Sequence, residues 1–592
     1  MTNATENIFL NKSGHLFACL TIVFVGILLY ANSLNYPFQF DSVRYIPNNP
    51  VMRDPGQLLT FDYLWKEYTR RAFLMSSLAL NVQWGGFDPF GFRLLNLTVH
   101  ILNSLLIYFI SLKLCQSLHL FHEDKRGRTL CSILSALLFL THPLQTESVL
   151  MVMSRAGMIA GFFYLSAFLI FQNLLEYKDN WKAIHKSVAG LTIAVCFFAG
   201  AGFKQTIVTL PCMLLIYYLC CLEPKHSFFS RIKKWRVAIG TVIFLIFGIL
   251  FWKLFSDETF LIGYSDAGES IGRKNYMFSQ PAVLIFYYFR LALFPFNLNV
   301  DPDFPMTTSF AHPAFWGSAA LIVAAMIFAY RQACRGNAVY VFCLAWMLIV
   351  ISPSSSIITL HDLAAEHRVY LASFGLFFIF SVIFCKVIVQ GKSILDFRRF
   401  AFSGLLILFL LSATTLKRSA IWSSESQLWS DATKKSPRLL RPLVNLARGY
   451  SSEGRFDESI VYYERALAIN PNIFFANYNL GDLYYQKGRK EDAIQLFLRA
   501  RQIEPSIPET YARLGEINME LGHLELANQF LREAVEKNPN SPVAFRNLGF
   551  LHYFKWKKIR EGKTFFKRSL MLDPSQEGAE QIRRLLAADE KD

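Results

Sequence analysis

Five prolines recur at nearly constant spacing in the last third of the chain, after about four hundred residues dominated by long apolar runs. Successive intervals are 34, 34, 34 and 35 residues, between Pro437, Pro471, Pro505, Pro539 and Pro574. Such a period indicates stacked helix pairs, because each pair can bury its apolar face only against its neighbours. The sequence therefore predicts an all-α chain with a membrane domain over residues 1–420 and a helical solenoid over residues 421–592.

The repeat units place small and large residues at matching positions. In the second unit these are Leu480, Gly481, Tyr484, Ala493, Phe497, Ala500 and Pro505. This pattern is typical of tetratricopeptide repeats, and we expect about four of them, the last one degenerate. Stacked repeats form an extended groove, so we expect the arm to bind a polypeptide. The candidate acceptor contacts are Tyr450, Asn477, Tyr484 and Tyr511. Simple scaffolding is the alternative.

The chain as a whole has the composition of a membrane protein. Its mean hydropathy is +0.30 and 53% of its 592 residues are hydrophobic, which is too apolar for a soluble enzyme of this size. A helix needs roughly 17 to 25 apolar residues to cross a bilayer. We predict eleven crossings, over residues 16–31, 92–114, 130–149, 157–175, 187–203, 206–222, 237–255, 313–330, 338–353, 369–388 and 400–416.

The charged residues predict which side each loop faces. The net charge is +16, but the basic residues cluster in short loops between apolar runs, such as 125–128 and 231–236, as in cytoplasmic loops. This distribution argues against nucleic-acid binding. The prediction requires that the run 281–296, which contains Arg290 and ends near Pro295, does not cross. With eleven crossings the repeat arm is expected outside the cytoplasm.

The sequence contains no familiar nucleotide or zinc motif. There is no P-loop, G-x-G-x-x-G or H-E-x-x-H sequence, and the ten cysteines show neither a disulfide framework nor zinc-ligand spacing. Asp301 and Asp303 could ligate a divalent cation, although a proline-containing turn explains them equally well. We therefore predict no dedicated metal site, and the alternative is a requirement for a divalent metal.

Ionisable residues at the predicted helix ends converge on the outer side, which indicates a wet cavity with a function. Asp41 follows the first span, where a carboxylate could act as a general base. Cations that could neutralise a departing lipid phosphate are Arg155, Lys204, His367 and Arg368, with the two arginines favoured for their planar fork. The candidate supporting residues are Arg93, His142, Glu147 and Glu366. Scattered interfacial side chains are the alternative.

Several short motifs, in a fixed order, resemble one family. They are Phe40-Asp41-Ser42 to Asn48-Asn49-Pro50, Gly86 to Asn96 with His100, His142 to Glu147, Ser154-Arg155-Ala156-Gly157, Lys204-Gln205 and Ala365 to Leu371, followed by the repeats. The combination resembles the transmembrane and tetratricopeptide-repeat-containing O-mannosyltransferases and their bacterial relatives. The resemblance implies a GT-C fold glycosyltransferase that moves a sugar from a polyprenyl-phosphate donor to a hydroxyl of an extracytoplasmic polypeptide.

Three acids of the family pattern are missing from this chain. The acidic pair implied at the first outer loop reads Asp41-Ser42, and the other two acids are replaced by Gly157 and Gln205. Asp54 or Glu147 could substitute. A weakened or altered transferase, a non-catalytic scaffold for envelope assembly and a lipid-linked polysaccharide ligase or polymerase therefore remain as alternatives. We expect a bacterial inner membrane with the repeats in the periplasm; the endoplasmic reticulum with luminal repeats is the alternative.

Overall fold

The protein is described here from a computed structural model. It describes residues 12–67, 71–121, 124–177, 180–221, 271–355, 359–360, 362–390, 394–576 and 578–588, all in helices and loops. Two compact units divide the chain, residues 1–436 and 437–592. Each unit is considered by itself below.

The first unit contains seventeen α-helices within the described ranges. In its first half these are α1 (Lys12–Tyr30), α2 (Asp41–Tyr45), α3 (Phe61–Lys66), α4 (Ala72–Gly85), α5 (Pro89–Ser117), α6 (Lys125–Thr141), α7 (Thr146–Leu150), α8 (Arg155–Glu176), α9 (Ala183–Phe203) and α10 (Leu210–Cys221). In its second half they are α11 (Arg273–Ala282), α12 (Arg290–Leu293), α13 (Pro313–Cys334), α14 (Val339–Ile351), α15 (Ser373–Gln390), α16 (Ile394–Ile421) and α17 (Glu425–Lys435).

Several of these helices could cross a membrane. Among the described residues six are long and apolar enough, Ser13–Ser33, Pro89–Ser117, Val152–Glu176, Ala183–Phe203, Pro313–Cys334 and Ala401–Ile421, and a bent pair could make a seventh. Each coincides with a predicted crossing. Three further predicted crossings correspond to shorter apolar helices, Gln205–Cys221, Val339–Ser354 and Ser373–Val387. The predicted crossing 237–255 lies outside the described residues. The chain is therefore a membrane protein with several apolar helices.

The bent pair places polar residues inside the first unit. Lys125–Thr141 and Pro143–Leu150 meet at an angle of 50°, and the break begins at His142, where Pro143 cannot donate a backbone hydrogen bond. His142 accepts the N–H of Leu144 at its Nδ1, 3.2 Å away, so the ring caps the short helix after the break. Every residue from Leu138 to Val152 is buried. Glu147 consequently lies within the protein rather than on its surface.

Two stretches predicted not to cross are helical but lie outside the candidate spans. Most of residues 281–296 belong to a helix that begins at Arg273 and passes through a π-helical segment, Val283–Phe289, before ending at Leu293. Residues 73–84, which are too short and too polar to cross a membrane, form most of α4. Arg71, which belongs to the polar cluster described below, caps the start of α4, and the helix from Arg273 supports the turn that carries His367 and Arg368.

The second unit consists of helix pairs in the predicted register. They are α18 (Leu440–Ser452), α19 (Phe456–Ile469), α20 (Phe474–Gln486), α21 (Lys490–Ile503), α22 (Pro508–Glu520), α23 (Leu524–Lys537), α24 (Pro542–Phe550) and α25 (Ile559–Leu572), followed by α26 (Ala579–Ala588). A Cβ added to Gly481 would lie 3.1 Å from the ring of Phe497. Glycine thus permits the close helix contact, and the predicted solenoid is confirmed.

Candidate functional site

The turn that carries Asp41 is held from two directions. Arg93 in α5 donates to the carbonyls of Tyr36 and, at 2.7 Å, Pro37. Gln39 is 2% exposed and donates to the carbonyl of Trp422 at 2.5 Å. Asp41 itself is exposed at the start of α2. These buried contacts fix the backbone beneath Asp41 while its side chain stays accessible.

The residue before Asp41 has an unusual backbone. Phe40 has φ 56° and ψ −135°, a sparsely populated conformation for a residue with a side chain, and one that persists only when its surroundings enforce it. Its ring centroid lies 5.4 Å from that of Trp429 in α17. The strained turn is therefore braced from the C-terminal end of the first unit, and it sets the direction in which Asp41 leaves the backbone.

A second turn, Glu366–Val369, presents three ionisable residues in succession. The hydroxyl of Tyr288 accepts the N–H of Ala365 at 3.1 Å, and Arg368 donates to the carbonyl of Asp362 at 2.8 Å. Arg368 also approaches the hydroxyl of Tyr276, 3.4 Å away. The helix from Arg273 to Leu293 thus positions this turn through its tyrosines.

His367 and Glu147 join the second turn to the bent helix. The Nδ1 of His367 lies 2.5 Å from the Oε1 of Glu147, and the two side chains are 25% and 2% exposed. Withdrawal from water, together with the positive charges of Lys204 and Arg368, holds the pKa of His367 well below its usual range. The charges of Asp362 and Asp41 act in the opposite direction. Asp41 is thus close enough to His367 for their charges to interact.

Lys204 supplies another cation at the C-terminal end of α9. Withdrawal from water and the neighbouring cations Arg71 and Arg368 lower its pKa to about 7, and Glu147 partly offsets this. A Cβ added to Gly157 would lie 3.3 Å from the Nζ of Lys204. The acid that the family pattern implies at position 157 would therefore stand directly beside this lysine. In this chain Lys204 lacks that counter-charge.

These residues form what we call the polar cluster: Asp41, Arg71, Glu147, Lys204, His367 and Arg368. Four of its six side chains are cationic or can become so, against two carboxylates, and the neighbouring Asp362 adds a third carboxylate. Five of the six were candidates from sequence alone, whereas Arg71 was not. Such a cluster can bind an anion and can accept or donate a proton.

Glu366 and Arg418 form a separate, fully buried pair behind the second turn. The NH2 of Arg418 lies 3.6 Å from Glu366 Oε2, and its NH1 lies 3.0 Å from Asp431. Glu366 also accepts the backbone N–H of Asn299. Burial raises the pKa of Glu366 to about 8, against the attraction of Arg418. Glu366 is therefore a structural anchor of the turn rather than part of its accessible face.

Lys435 and Ser436 extend this anchor to the end of the first unit. Lys435 contacts Asp431 at 2.7 Å and donates to the carbonyl of Leu298 at 2.6 Å. The hydroxyl of Ser436 donates to the carbonyl of Asp301 and accepts the N–H of Asp303 at 3.0 Å. The Asp301–Asp303 stretch thus has a structural role. Among the described residues, no group of three or more His, Cys, Asp or Glu side chains could hold a metal ion.

Arg155 was a candidate phosphate ligand, and the structure commits its guanidinium to the protein interior instead. Arg155 is 0% exposed. It donates to Asn96, Asn81, the carbonyl of Ser77 and the carbonyl of Phe92 at 3.0, 2.7, 3.2 and 2.9 Å. Every arm of the guanidinium is occupied, so Arg155 ties α4, α5 and α8 together. Arg93 and His142 are likewise hydrogen-bonded to backbone groups of the protein.

The family acid missing at position 42 would face the interior. Ser42 is 1% exposed, and its hydroxyl finds no hydrogen-bond partner among the described residues. A carboxylate there would need a buried counter-charge. Gln205, at the third missing acid, is half-buried and begins the 3₁₀ turn that follows Lys204.

In the repeat unit, the structure gives most of the candidate acceptor contacts internal roles. Asn477 is 1% exposed and donates to the carbonyls of Pro471 and Ile473, both at 2.9 Å. Tyr511 donates to the carbonyl of Pro505 at 2.9 Å. Tyr484 is 8% exposed and donates to Glu464 at 2.5 Å. Tyr450 is half-buried, with the guanidinium of Arg455 4.2 Å from its ring centre.

Sequence reasoning missed Arg71, Arg418, Asp431 and Lys435. Arg418 carried a weak signal, because an arginine at the end of an apolar run is unfavourable unless it is paired. Its partners lie thirteen and fifty-two residues away in sequence. No local spacing could have identified them.

Two tetratricopeptide-repeat family models match the second unit, over residues 444–508 and 508–541. A crystal structure of the protein MamA aligns with 25% of this chain and 81% of that one, with 19% identity and a TM-score of 0.24.

Three curated relatives align along most of the chain. A protein O-mannosyl-transferase of Caenorhabditis elegans is 24% identical over 477 residues, and the protein O-mannosyl-transferases Tmtc3 of Drosophila melanogaster and TMTC4 of Mus musculus are 22% and 24% identical over 524 and 496 residues. Each alignment covers 76% of this chain and, respectively, 63%, 55% and 66% of the relative. The chain thus spans roughly three fifths of the length of these relatives. It is homologous to the tetratricopeptide-repeat-containing protein O-mannosyl-transferases, and the resemblance predicted from its motifs is confirmed.

Proposed function

We propose that this protein is a membrane glycosyltransferase of the GT-C type. It transfers a sugar, mannose by analogy with its relatives, from a polyprenyl-phosphate donor to a hydroxyl of an extracytoplasmic polypeptide. The observation that carries the proposal is the polar cluster, in which the accessible carboxylate of Asp41 shares one electrostatic environment with Lys204, His367 and Arg368. A base and an anion-binding surface side by side are what transfer from a phosphate to a hydroxyl requires.

The cations of the cluster hold the donor phosphate in this proposal. Lys204 and Arg368 provide positive charge. Arg71 adds a third cation, whose charge also acts on Lys204. As the bond between the sugar and the phosphate breaks, negative charge accumulates on the leaving phosphate. Cations positioned before the reaction stabilise that charge more than they stabilise the ground state, which lowers the barrier. Arg155 takes no part, because its guanidinium is fully bonded within the protein.

Asp41 acts on the acceptor. Its carboxylate takes the proton of the acceptor hydroxyl while the hydroxyl oxygen bonds to the anomeric carbon, and the phosphate leaves with the electron pair of the broken bond. Its exposure at a braced turn suits this role, since a polypeptide must reach it from outside. The missing family acids do not remove this group, because position 42 is buried and position 157 faces Lys204.

The repeat unit recruits the acceptor polypeptide in this proposal. Asn477 and Tyr511 maintain the helix packing, so peptide contacts fall on exposed side chains of the same helices. Phe475 in α20 is 57% exposed and is the first residue to test. An aromatic side chain on an accessible helix face suits a hydrophobic contact with an extended peptide. In this proposal, both the cluster and the repeats face the extracytoplasmic side of the membrane.

Reconstitution of the full-length protein in proteoliposomes tests the proposal. Radiolabelled polyprenyl-phosphate mannose is supplied with serine- and threonine-containing polypeptides, and transfer is identified by mass spectrometry of the product. Lys204→Met should raise the donor KM by roughly 10- to 100-fold, the worth of one charge-assisted hydrogen bond, whereas the exposed Lys66 changed to Met should not. Sugar appearing on a polysaccharide acceptor alone would favour a ligase or polymerase, and no transfer to either acceptor would favour a scaffold.

A further inference from the structure

The geometry of His367 separates its two ring nitrogens. Nδ1 is fixed against Glu147 at 2.5 Å, inside the protein. Glu147 is almost fully buried, whereas a quarter of the His367 side chain is exposed. Nε2, on the far side of the ring, is therefore the nitrogen available to a ligand. A buried carboxylate that orients an imidazole in this way leaves the other nitrogen to exchange a proton.

The charges around His367 come from four separate segments. Lys204 follows α9, and Arg368 lies in the second turn, with Asp362 just before it. Asp41 begins α2, and Glu147 lies in α7. Withdrawal from water opposes protonation of the ring most, the cations Lys204 and Arg368 add to this opposition, and together they outweigh the acids. The neutral form of His367 is therefore favoured in the empty site. A phosphate bound to Lys204 and Arg368 would offset the part of that opposition that comes from their charges.

We propose that the Glu147–His367 pair is the second proton-accepting group of the site, and that an anionic phosphate bound to Lys204 and Arg368 strengthens it as a base. This inference rests on the function proposed above and adds a residue role to it. His367, considered from sequence as a phosphate ligand, is instead the residue that stores the proton. The missing second acid of the family pattern is thereby replaced by a histidine from another part of the chain.

Sugar transfer moves one proton in two steps. The O–H bond of the acceptor breaks and its proton goes to Asp41, while the oxygen bonds to the anomeric carbon and the phosphate leaves with the electron pair of the bond between the sugar and the phosphate. Asp41 then passes the proton to Nε2 of His367, directly or through one water, and returns to its ionised form. The resulting imidazolium is paired with Glu147 through Nδ1 and faces a phosphate that now carries one more negative charge.

Donor binding consequently favours proton acceptance. In a site without donor, withdrawal from water and the charges of Lys204 and Arg368 disfavour an imidazolium. The donor supplies both the sugar and a negative charge that offsets those two cations. This coupling links activation of the acceptor to the presence of the sugar.

His367→Asn is the matched variant for testing the pair, because the side-chain amide nitrogen of asparagine can replace Nδ1 in the bond to Glu147 while Nε2 is lost. We expect kcat for sugar transfer to fall about 10²-fold, with the donor KM and the thermal unfolding temperature in nanodiscs unchanged. We also expect the rising limb of the kcat–pH profile near neutrality to disappear. Transfer within twofold of wild type would overturn the inference, and so would a loss confined to donor KM, which would make His367 a phosphate ligand.

Lys204→Met provides a second readout that does not depend on His367 variants folding. Removing a neighbouring positive charge favours the protonated ring, so at saturating donor the rising limb should move to higher pH. An unchanged limb would contradict the coupling. If the wild-type protein itself transfers no sugar, the proposed function fails. If wild type is active and both variants retain its pH profile, only the inference fails.

Discussion

His367 and Glu147 are bonded at 2.5 Å although 220 residues separate them in the chain. The contact connects the turn Glu366–Val369 to the short helix Thr146–Leu150, the two segments whose motifs resemble the same family. A side chain that is nearly buried thus sets the orientation of one that is partly accessible. In the proposed function, both motifs depend on this junction.

Glu147→Gln should preserve the shape of this contact and remove its ability to ionise. A neutral partner no longer stabilises an imidazolium, so we expect kcat to fall about 10²-fold with donor KM unchanged. Steady-state transfer kinetics in nanodiscs measure both constants. Ser148→Ala is the matched control, because Ser148 is equally buried, adjacent and without a hydrogen-bond partner in the described structure. Wild-type kcat in Glu147→Gln would exclude a proton-handling role.

Gly157→Asp should restore the counter-charge that Lys204 lacks. In the wild type the pKa of Lys204 is lowered to about 7, so its charge, and with it donor affinity, should decline as pH rises from about 6 to 8. A carboxylate beside Nζ favours the charged amine and raises this pKa. We therefore expect the donor KM of the variant to change less with pH than that of the wild type. Gly157→Asn, similar in size but uncharged, should retain the wild-type pH dependence. Parallel curves for the Asp and Asn variants would refute the assignment.

Arg418→Met should destabilise the first unit, most at a pH above about 8, where Glu366 is ionised in the wild type and would be buried without its cation. Losing one partner of a buried ion pair costs about 3–5 kcal/mol, seen as a lower thermal unfolding temperature in nanodiscs. The double variant Arg418→Met with Glu366→Gln should recover part of that loss, since the uncharged amide can still accept the N–H of Asn299. If the two changes were simply additive, the pair would not be coupled.

Much of the architecture was predictable from sequence because it depends on periodicity. Apolar runs of membrane length located helices such as Pro89–Ser117, and the 34-residue period located the helix pairs. Lys204, His367 and Arg368 were identified as a group because all three lie at the ends of apolar runs. Each of these signals is local.

Which charged residues belong to the polar cluster could not be predicted. Arg155 and Arg368 look alike in sequence, yet the guanidinium of Arg155 is hydrogen-bonded to Asn96, Asn81 and Phe92, which come from two other helices. Asn477 and Tyr511 were chosen as polar residues on a groove, but their bonds return to the preceding turn. Such partners are set by packing between distant segments, which a single sequence does not encode at any fixed spacing.

Asn477→Ala tests the structural reading of the repeat unit. The amide satisfies two backbone carbonyls, and leaving buried acceptors unpaired costs about 1–3 kcal/mol. Hydrogen exchange measured by mass spectrometry on the full-length protein should show faster exchange in residues 471–486. The control, Asn445→Ala in the preceding repeat, alters a half-buried asparagine and should leave that segment protected. Unchanged protection together with weaker peptide binding would instead place Asn477 in the acceptor groove.

Sugar transfer by Asp41→Asn in the reconstituted system tests most directly whether Asp41 is the catalytic base. We expect that labelled sugar no longer appears on the polypeptide, while expression, membrane insertion and donor binding match those of the wild type. Asp54→Asn, an exposed acid in the same outer segment that contacts only Gln57 at 2.7 Å, should transfer normally. Full transfer by Asp41→Asn, with sugar confirmed on the polypeptide by mass spectrometry, would contradict the assignment of the site.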